Sequence, residues 1–196
     1  MGHRVLASDW HVEHWFNTGA PLALANLRGK VVFVIAFQML CPGCVSVGLP
    51  QALRARASFP ESELAVIGLH AVFEHHAAQG TRAALAAFLH EYRIGFPVGI
   101  DAQSRSGALP ATMRTYEMQG TPTVLLIDRA GRLKLNHFGH LDDMRLGAAI
   151  ASLIAEMPEA VADTHRTSAD DVVAASAGGS CSARTAMNRP IDSDNC

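Results

Sequence analysis

Val31-Val32-Phe33-Val34-Ile35-Ala36-Phe37, followed by Gln38-Met39-Leu40 and then Cys41-Pro42-Gly43-Cys44, is the stretch on which the fold turns. Its first part is a continuous apolar run dominated by β-branched and aromatic residues. It lacks the alternation of a half-exposed strand, so it predicts a strand buried on both faces. From Cys44 to about Ala57 the pattern becomes helical, and Pro50 is expected to kink that helix. A buried strand therefore runs straight into a cysteine pair that opens a helix.

That placement has a chemical logic. A helix N-terminus carries partial positive charge and unpaired N–H groups, and both favour a thiolate at Cys41. Pro42 suits the first helical turn, where its missing N–H costs nothing. Gly43 lets another stretch of backbone approach. The two intervening residues put Cys44 one turn along, within reach of a sulfur bonded to Cys41. Cys41 is thus the expected nucleophile toward a disulfide and Cys44 the expected resolving thiol. The alternative for C-x-x-C spacing is half a zinc site. That needs two further ligands at short spacing, and none stands nearby, so no metal and no cofactor is expected.

Outward from this core, Leu64 to Leu69 predicts a second buried strand. Thr81 to Arg93 predicts a helix with Leu85, Phe88, Leu89 and Tyr92 on one face. Phe96 to Ile100 reads as a short strand. Thr123 to Ile127 reads as another, turning at Asp128-Arg129-Ala130-Gly131 into a hairpin partner over Arg132 to Phe138. A last helix is expected from Asp142-Asp143, burying Leu146, Ile150 and Leu153. The order βαβα then ββα predicts an α/β domain with a mixed central sheet and helices on both faces. Gly120-Thr121-Pro122-Thr123 stands directly before a strand, where a residue without an N–H belongs at the first position. A cis bond there would present the Thr121 backbone to a bound peptide.

The pattern changes near Met157-Pro158. Residues 1–157 carry the periodic apolar segments. Residues 158–196 contain no Leu, Phe, Tyr or Trp, so they are expected to form a disordered Ala/Ser/Asp-rich tail, with a short helix near Asp170–Ala177. The net charge of −2 and the absence of any Lys/Arg-rich stretch argue against a nucleic-acid partner. The longest apolar run is too short to span a bilayer, and Met1 to Trp10 holds no apolar leader core. No membrane association and a cytoplasmic location are the expectations. The chain has 4 cysteines. The distant Cys181 and Cys196 read as incidental, or as relay or resolving thiols on the tail, as a link to a second chain, or as ligands of a soft metal together with the dithiol.

Together, Leu27-Arg28-Gly29-Lys30-Val31-Val32, Cys41-Pro42-Gly43-Cys44, Gly120-Thr121-Pro122-Thr123 and Ile127-Asp128-Arg129-Ala130-Gly131 carry a family likeness. Over about Trp10 to Glu156 the chain resembles the thioredoxin-like superfamily, and within it the redoxin branch of TlpA and ResA reductases and AhpC/TSA peroxiredoxins. The resemblance implies a thioredoxin fold with an N-terminal β-hairpin around His11–Leu24, a nucleophile at Cys41, a resolver at Cys44, and a cis-Pro at Pro122 after Thr121. It implies thiol–disulfide oxidoreductase activity on protein or small-molecule disulfides or thiols, with an electron donor that stays unidentified. A thiol peroxidase of AhpC/TSA type and a non-catalytic binding module are the alternatives.

The chain departs from the family pattern at several places. Leu40 replaces the aromatic residue before the first cysteine. Ile35 stands where thioredoxin has a buried Asp, and Val47 where TlpA-type proteins have a Glu, so the usual proton acceptor for Cys44 is missing. The peroxiredoxin pattern Pro-x-x-x-Thr-x-x-Cys fits neither cysteine: Val34 and Gln38 precede Cys41 at those positions, Phe37 and Cys41 precede Cys44. Among the 10 histidines, His70, Glu74, His75 and His76 follow the second strand at the edge where such folds carry sites. His70 is the candidate replacement acceptor. His11 and His14, beside Trp10 and Trp15, read as hairpin residues.

Overall fold

A computed structural model describes residues 5–104 and 109–156. The expected tail of residues 158–196, its short helix, Cys181 and Cys196 lie outside the described residues.

The elements follow the expected alternation. β1 (Val12–Phe16) precedes a 3-10 turn at Leu24–Leu27. β2 (Val31–Phe37) leads to α1 (Leu49–Ser58), β3 (Leu64–His70), α2 (His76–Gln79), α3 (Arg82–Glu91) and β4 (Val98–Asp101). Then come α4 (Ala111–Thr115), β5 (Thr123–Ile127), β6 (Leu133–Phe138) and α5 (Asp143–Ala155). The six strands form one sheet in the order β1-β4-β3-β2-β5-β6. β2 lies parallel to β3 and antiparallel to β5, which makes the sheet mixed.

Every residue of β2 is buried, and strand periodicity divides them between two cores. Val31, Phe33, Ile35 and Phe37 pack with Leu49 and Ala52 of α1, Leu85 and Leu89 of α3, and Leu146 and Ile150 of α5. Val32, Val34 and Ala36 pack on the opposite face with Met113, Tyr116 and Leu24. Each large apolar side chain so buried contributes about 1.5–3 kcal/mol, and this anchors the strand that presents the cysteines. The helix starts are capped as their sequences imply: Thr81 Oγ1 accepts the Ala84 N–H, and the Asp142 carboxylate accepts those of Met144 and Arg145. In the turn after β5 the Gly131 N–H meets the Asp128 carbonyl at 2.8 Å, with Gly131 at φ 80°.

The expected N-terminal hairpin is not present. The segment supplies one strand, β1, which pairs antiparallel with β4. Asn17 ends it in the left-handed region at φ 57°. The Asn17 amide then donates to the Ile94 and Phe96 carbonyls, tying the chain to the entry of β4 instead of letting it fold back on itself. Val12 packs so closely over Gly99 that a Cβ there would lie 2.7 Å from its methyl.

Pro50 also acts differently from a simple kink. The helix opens at Pro42, widens into a π turn over Cys44–Gly48, and continues as α1. In a regular α-helix the Pro50 ring would clash with the Ser46 carbonyl. The wider turn, closed by the Leu49 N–H on the Cys44 carbonyl, admits the ring.

Candidate functional site

Cys41 is the residue on which the helix begins. Its carbonyl accepts the Val45 N–H at 3.1 Å, and its sulfur accepts the Cys44 N–H at 3.2 Å. The sulfur thus satisfies one of the free N–H groups of the first turn, where a serine or aspartate oxygen would otherwise cap. Cys41 is partly exposed and Cys44 is buried, and both are free thiols. Burial, and next the hydrogen bond with Cys41, push the Cys44 thiol up to about 12. Hydrogen bonds with the Gln38 backbone and Thr121 pull it the other way.

The Thr121-Pro122 peptide bond is cis. It lies against the dithiol: the Cys41 thiol donates to the Thr121 carbonyl at 3.5 Å. Two hydrogen bonds hold this loop. Thr123 Oγ1 donates to the Gly120 carbonyl, and the Gly139 N–H donates to the Pro122 carbonyl. Two glycines let it close. A Cβ on Gly48 would sit 3.1 Å from Pro122 Cβ and 3.2 Å from Ile35 Cδ1, and one on Gly120 would sit 2.8 Å from the Phe138 ring. Gly43 is less critical than its place in the motif implies, because a Cβ there would meet Pro122 Cδ at an ordinary 3.5 Å.

A groove of about 340 Å³ runs past Cys41. Gln38, Phe73, His75, Thr121 and Phe138 are among its walls. Leu40, in place of the family's aromatic residue, stands 55% exposed beside it. The cavity of about 280 Å³ between α1 and α5 contains neither cysteine. Among the described residues no group of three or more His, Cys, Asp or Glu side chains is arranged to hold a metal ion. No helix there is long and apolar enough to cross a membrane.

Solved structures share this architecture and its sequence. A crystal structure of a thioredoxin-like superfamily protein is 54% identical, with a TM-score of 0.76, and the match covers 79% of this chain and 99% of that one. The chain belongs to the thioredoxin-like superfamily. A thiol-disulfide isomerase from Corynebacterium glutamicum is 44% identical over 78% of this chain and 97% of its own, with a TM-score of 0.74. An exposed lipoprotein thioredoxin from Streptococcus pneumoniae shares the fold at 20% identity and a TM-score of 0.54, over 74% of this chain and 99% of its own. No family model matches the chain, and no curated protein does. The resemblance to the redoxin branch read from the four motifs holds.

Within this thioredoxin-like frame, Cys41, Cys44, Thr121 and Pro122 come together as one cluster. His70 does not line the groove beside Cys41. It sits at the end of β3, 1% exposed, with its ring 5.3 Å from that of Phe37. Burial holds its pKa down at about 4, and Nε2 has no hydrogen-bond partner among the described residues. The histidine in the groove wall is His75, beside Glu74.

Two site residues escaped the sequence reading. Gln38 and Gln79 are both buried, and Gln79 Nε2 donates to Gln38 Oε1 at 2.9 Å. Gln79 Oε1 accepts the Leu40 N–H, so the residue before Cys41 is held from across the groove. One signal for Gln38 was available: a polar residue directly after a fully apolar strand and before the dithiol must be satisfied by something. Gln79 offered none, since it lies in a four-residue helix too short to show a period.

Proposed function

We propose that the protein is a thiol–disulfide oxidoreductase in which Cys41 attacks and Cys44 resolves. The observation that carries this is the pairing of a partly exposed Cys41 sulfur at a helix start, hydrogen-bonded to the Cys44 N–H and facing the groove, with a buried, protonated Cys44.

The Cys41 thiolate attacks one sulfur of the substrate disulfide. The Cys41–substrate bond forms, the substrate S–S bond breaks, and the leaving thiolate takes a proton from water. Cys44 then gives its proton to water, and its thiolate attacks the Cys41 sulfur, forming the Cys41–Cys44 bond and breaking the Cys41–substrate bond. The second substrate thiol leaves, and two electrons have passed from the dithiol to the substrate. A thiol or dithiol donor reverses these steps to restore the reduced pair. Two influences that hold the Cys44 proton, the hydrogen bond and the charge of Cys41, vanish once Cys41 is tied up in the mixed disulfide. Cys44 thus becomes more acidic at the step that needs its thiolate, which supports exchange without the family's usual carboxylate at Ile35 or Val47.

The thiol-disulfide isomerase at 44% identity supports protein disulfides as substrates. A cytoplasmic setting is part of the proposal and is checked by cell fractionation. We assign the exchange to residues 1–157, so that a chain ending at Pro158 keeps it. A truncation that abolishes turnover of a disulfide while sparing Cys41 alkylation would instead assign Cys181 or Cys196 a relay role.

The test is the reaction itself. The reduced protein is mixed with a disulfide-bridged peptide, and separately with hydrogen peroxide, and the dithiol is followed by mass. Oxidation by the peptide with release of its two thiols is the expected result. Consumption of peroxide with no reaction toward the peptide would replace this assignment by a thiol peroxidase.

A further inference from the structure

Gln38 and Gln79, both buried at the groove, use their amides unequally. Gln79, 1% exposed, uses both ends: Nε2 donates to Gln38 Oε1 at 2.9 Å and to the Glu74 carbonyl at 2.8 Å, and Oε1 accepts the Leu40 N–H at 3.1 Å. Gln38, 3% exposed, uses one end. Its Oε1 accepts from Gln79 Nε2 and from the N–H groups of Phe73 at 3.3 Å and Glu74 at 3.4 Å. Those donors fix which end of the amide is oxygen, because an NH2 group cannot accept them. Gln38 Nε2, the other end of the same amide, has no hydrogen bond to any described residue, and the side chain lines the groove beside Cys41.

Gln38 Nε2 is not among the fully buried nitrogens left without a partner, so in the free protein it is open to water. An acceptor that enters the groove with the substrate replaces that water and positions the substrate. We infer that Gln38 Nε2 is a substrate-binding donor, and that it takes the amide carbonyl oxygen next to a cysteine sulfur in a peptide-type disulfide. The groove favours a neutral acceptor: none of its lining residues is Lys or Arg, and Glu74 stands in its wall. A cysteine residue's own amide carbonyls lie a few bonds from its sulfur, and Cys41 and Gln38 line the same groove. This inference rests on the thiol–disulfide exchange proposed above.

The test compares two uncharged disulfides, that of N-acetylcysteine N-methylamide and bis(2-hydroxyethyl) disulfide, which has no carbonyl. The quantity read is the ratio of their kcat/KM values in the full chain, in Gln38→Glu and in Gln38→Met. Gln38→Glu keeps an oxygen for the Phe73, Glu74 and Gln79 donors and removes only the Nε2 donor. A change in thiol reactivity caused by its charge acts on both probes and cancels in the ratio. The expected result is a loss of about 3- to 10-fold in the amide-to-hydroxyethyl ratio in Gln38→Glu, the worth of one neutral hydrogen bond, with the same loss in Gln38→Met. An unchanged ratio in Gln38→Glu overturns the inference while leaving the exchange reaction intact. A wild-type protein that exchanges with neither probe overturns the exchange reaction itself, and this inference with it. Should Gln38→Met not fold, the methyl ester of N-acetylcysteine disulfide replaces it: a weaker acceptor must lower kcat/KM in the wild type and make no difference in Gln38→Glu.

Discussion

The Cys41 thiol lies 3.5 Å from the carbonyl oxygen of Thr121, a residue 80 positions further along the chain. The contact joins the end of the central strand to the loop that opens β5. It puts a reactive sulfur beside a backbone stretch held by Thr123 on one side and Gly139 on the other. Under the proposed exchange, a substrate strand that entered the groove would meet both at once.

The difference between the two thiols sets their reactivity. Cys44, raised to about 12, stays protonated at neutral pH and is covered by its neighbours. In a Cys181→Ser, Cys196→Ser background, iodoacetamide at pH 7–8 should label the reduced protein once, at Cys41. Cys44 should be labelled only after denaturation. Equal labelling of both in the folded protein would show that Cys44 is not shielded.

The approach of Pro122 to the helix depends on Gly48. Gly48→Val places methyl groups where even a Cβ would be 3.1 Å from Pro122 and 3.2 Å from Ile35, whose strand is fully buried and cannot yield. Overpacking of this kind costs about 1–3 kcal/mol. It should lower the melting temperature by several degrees and slow exchange by separating Pro122 from the dithiol. Gly43→Ala serves as the control and should behave as wild type. Equal behaviour of both variants in thermal unfolding would mean that the contact at Gly48 is not what sets the loop.

His70 couples stability to pH. Its imidazole binds a proton near pH 6.5 when unfolded and only near 4 when folded. The unfolded chain therefore holds more protons between those values, and stability falls as pH drops through that window. The loss reaches at most about 3 kcal/mol. His70→Leu should remove that slope. Asp101, whose carboxyl burial pushes upward, acts in the opposite sense in both proteins and cancels in the comparison. Parallel melting curves for wild type and variant from pH 7 to pH 4 would show that the folded imidazole takes up its proton freely.

How much of this was legible depends on the range of each interaction. β2 and the dithiol could be read because burial on both faces leaves a continuous apolar run and the cysteines follow it directly. Pro122 could be read because a residue without an N–H has few places in a sheet. The N-terminal strand was visible but its partner was not: β1 chooses β4 through Asn17 and Gly99, which are far apart in sequence. The π turn was partly signalled, since Pro50 announces a disturbance without fixing its form. The Gln38–Gln79 pair spans 41 positions, so neither glutamine carried a local pattern that named the other.

The division of labour between Cys41 and Cys44 is tested most directly by trapping. Cys44→Ser and Cys41→Ser, each in the Cys181→Ser, Cys196→Ser background, are reduced, incubated with a disulfide-bridged peptide, and weighed without reductant. The expected result is a persistent adduct on Cys41 in Cys44→Ser and no adduct in Cys41→Ser. An adduct on Cys44 in Cys41→Ser, or none in Cys44→Ser, would contradict it.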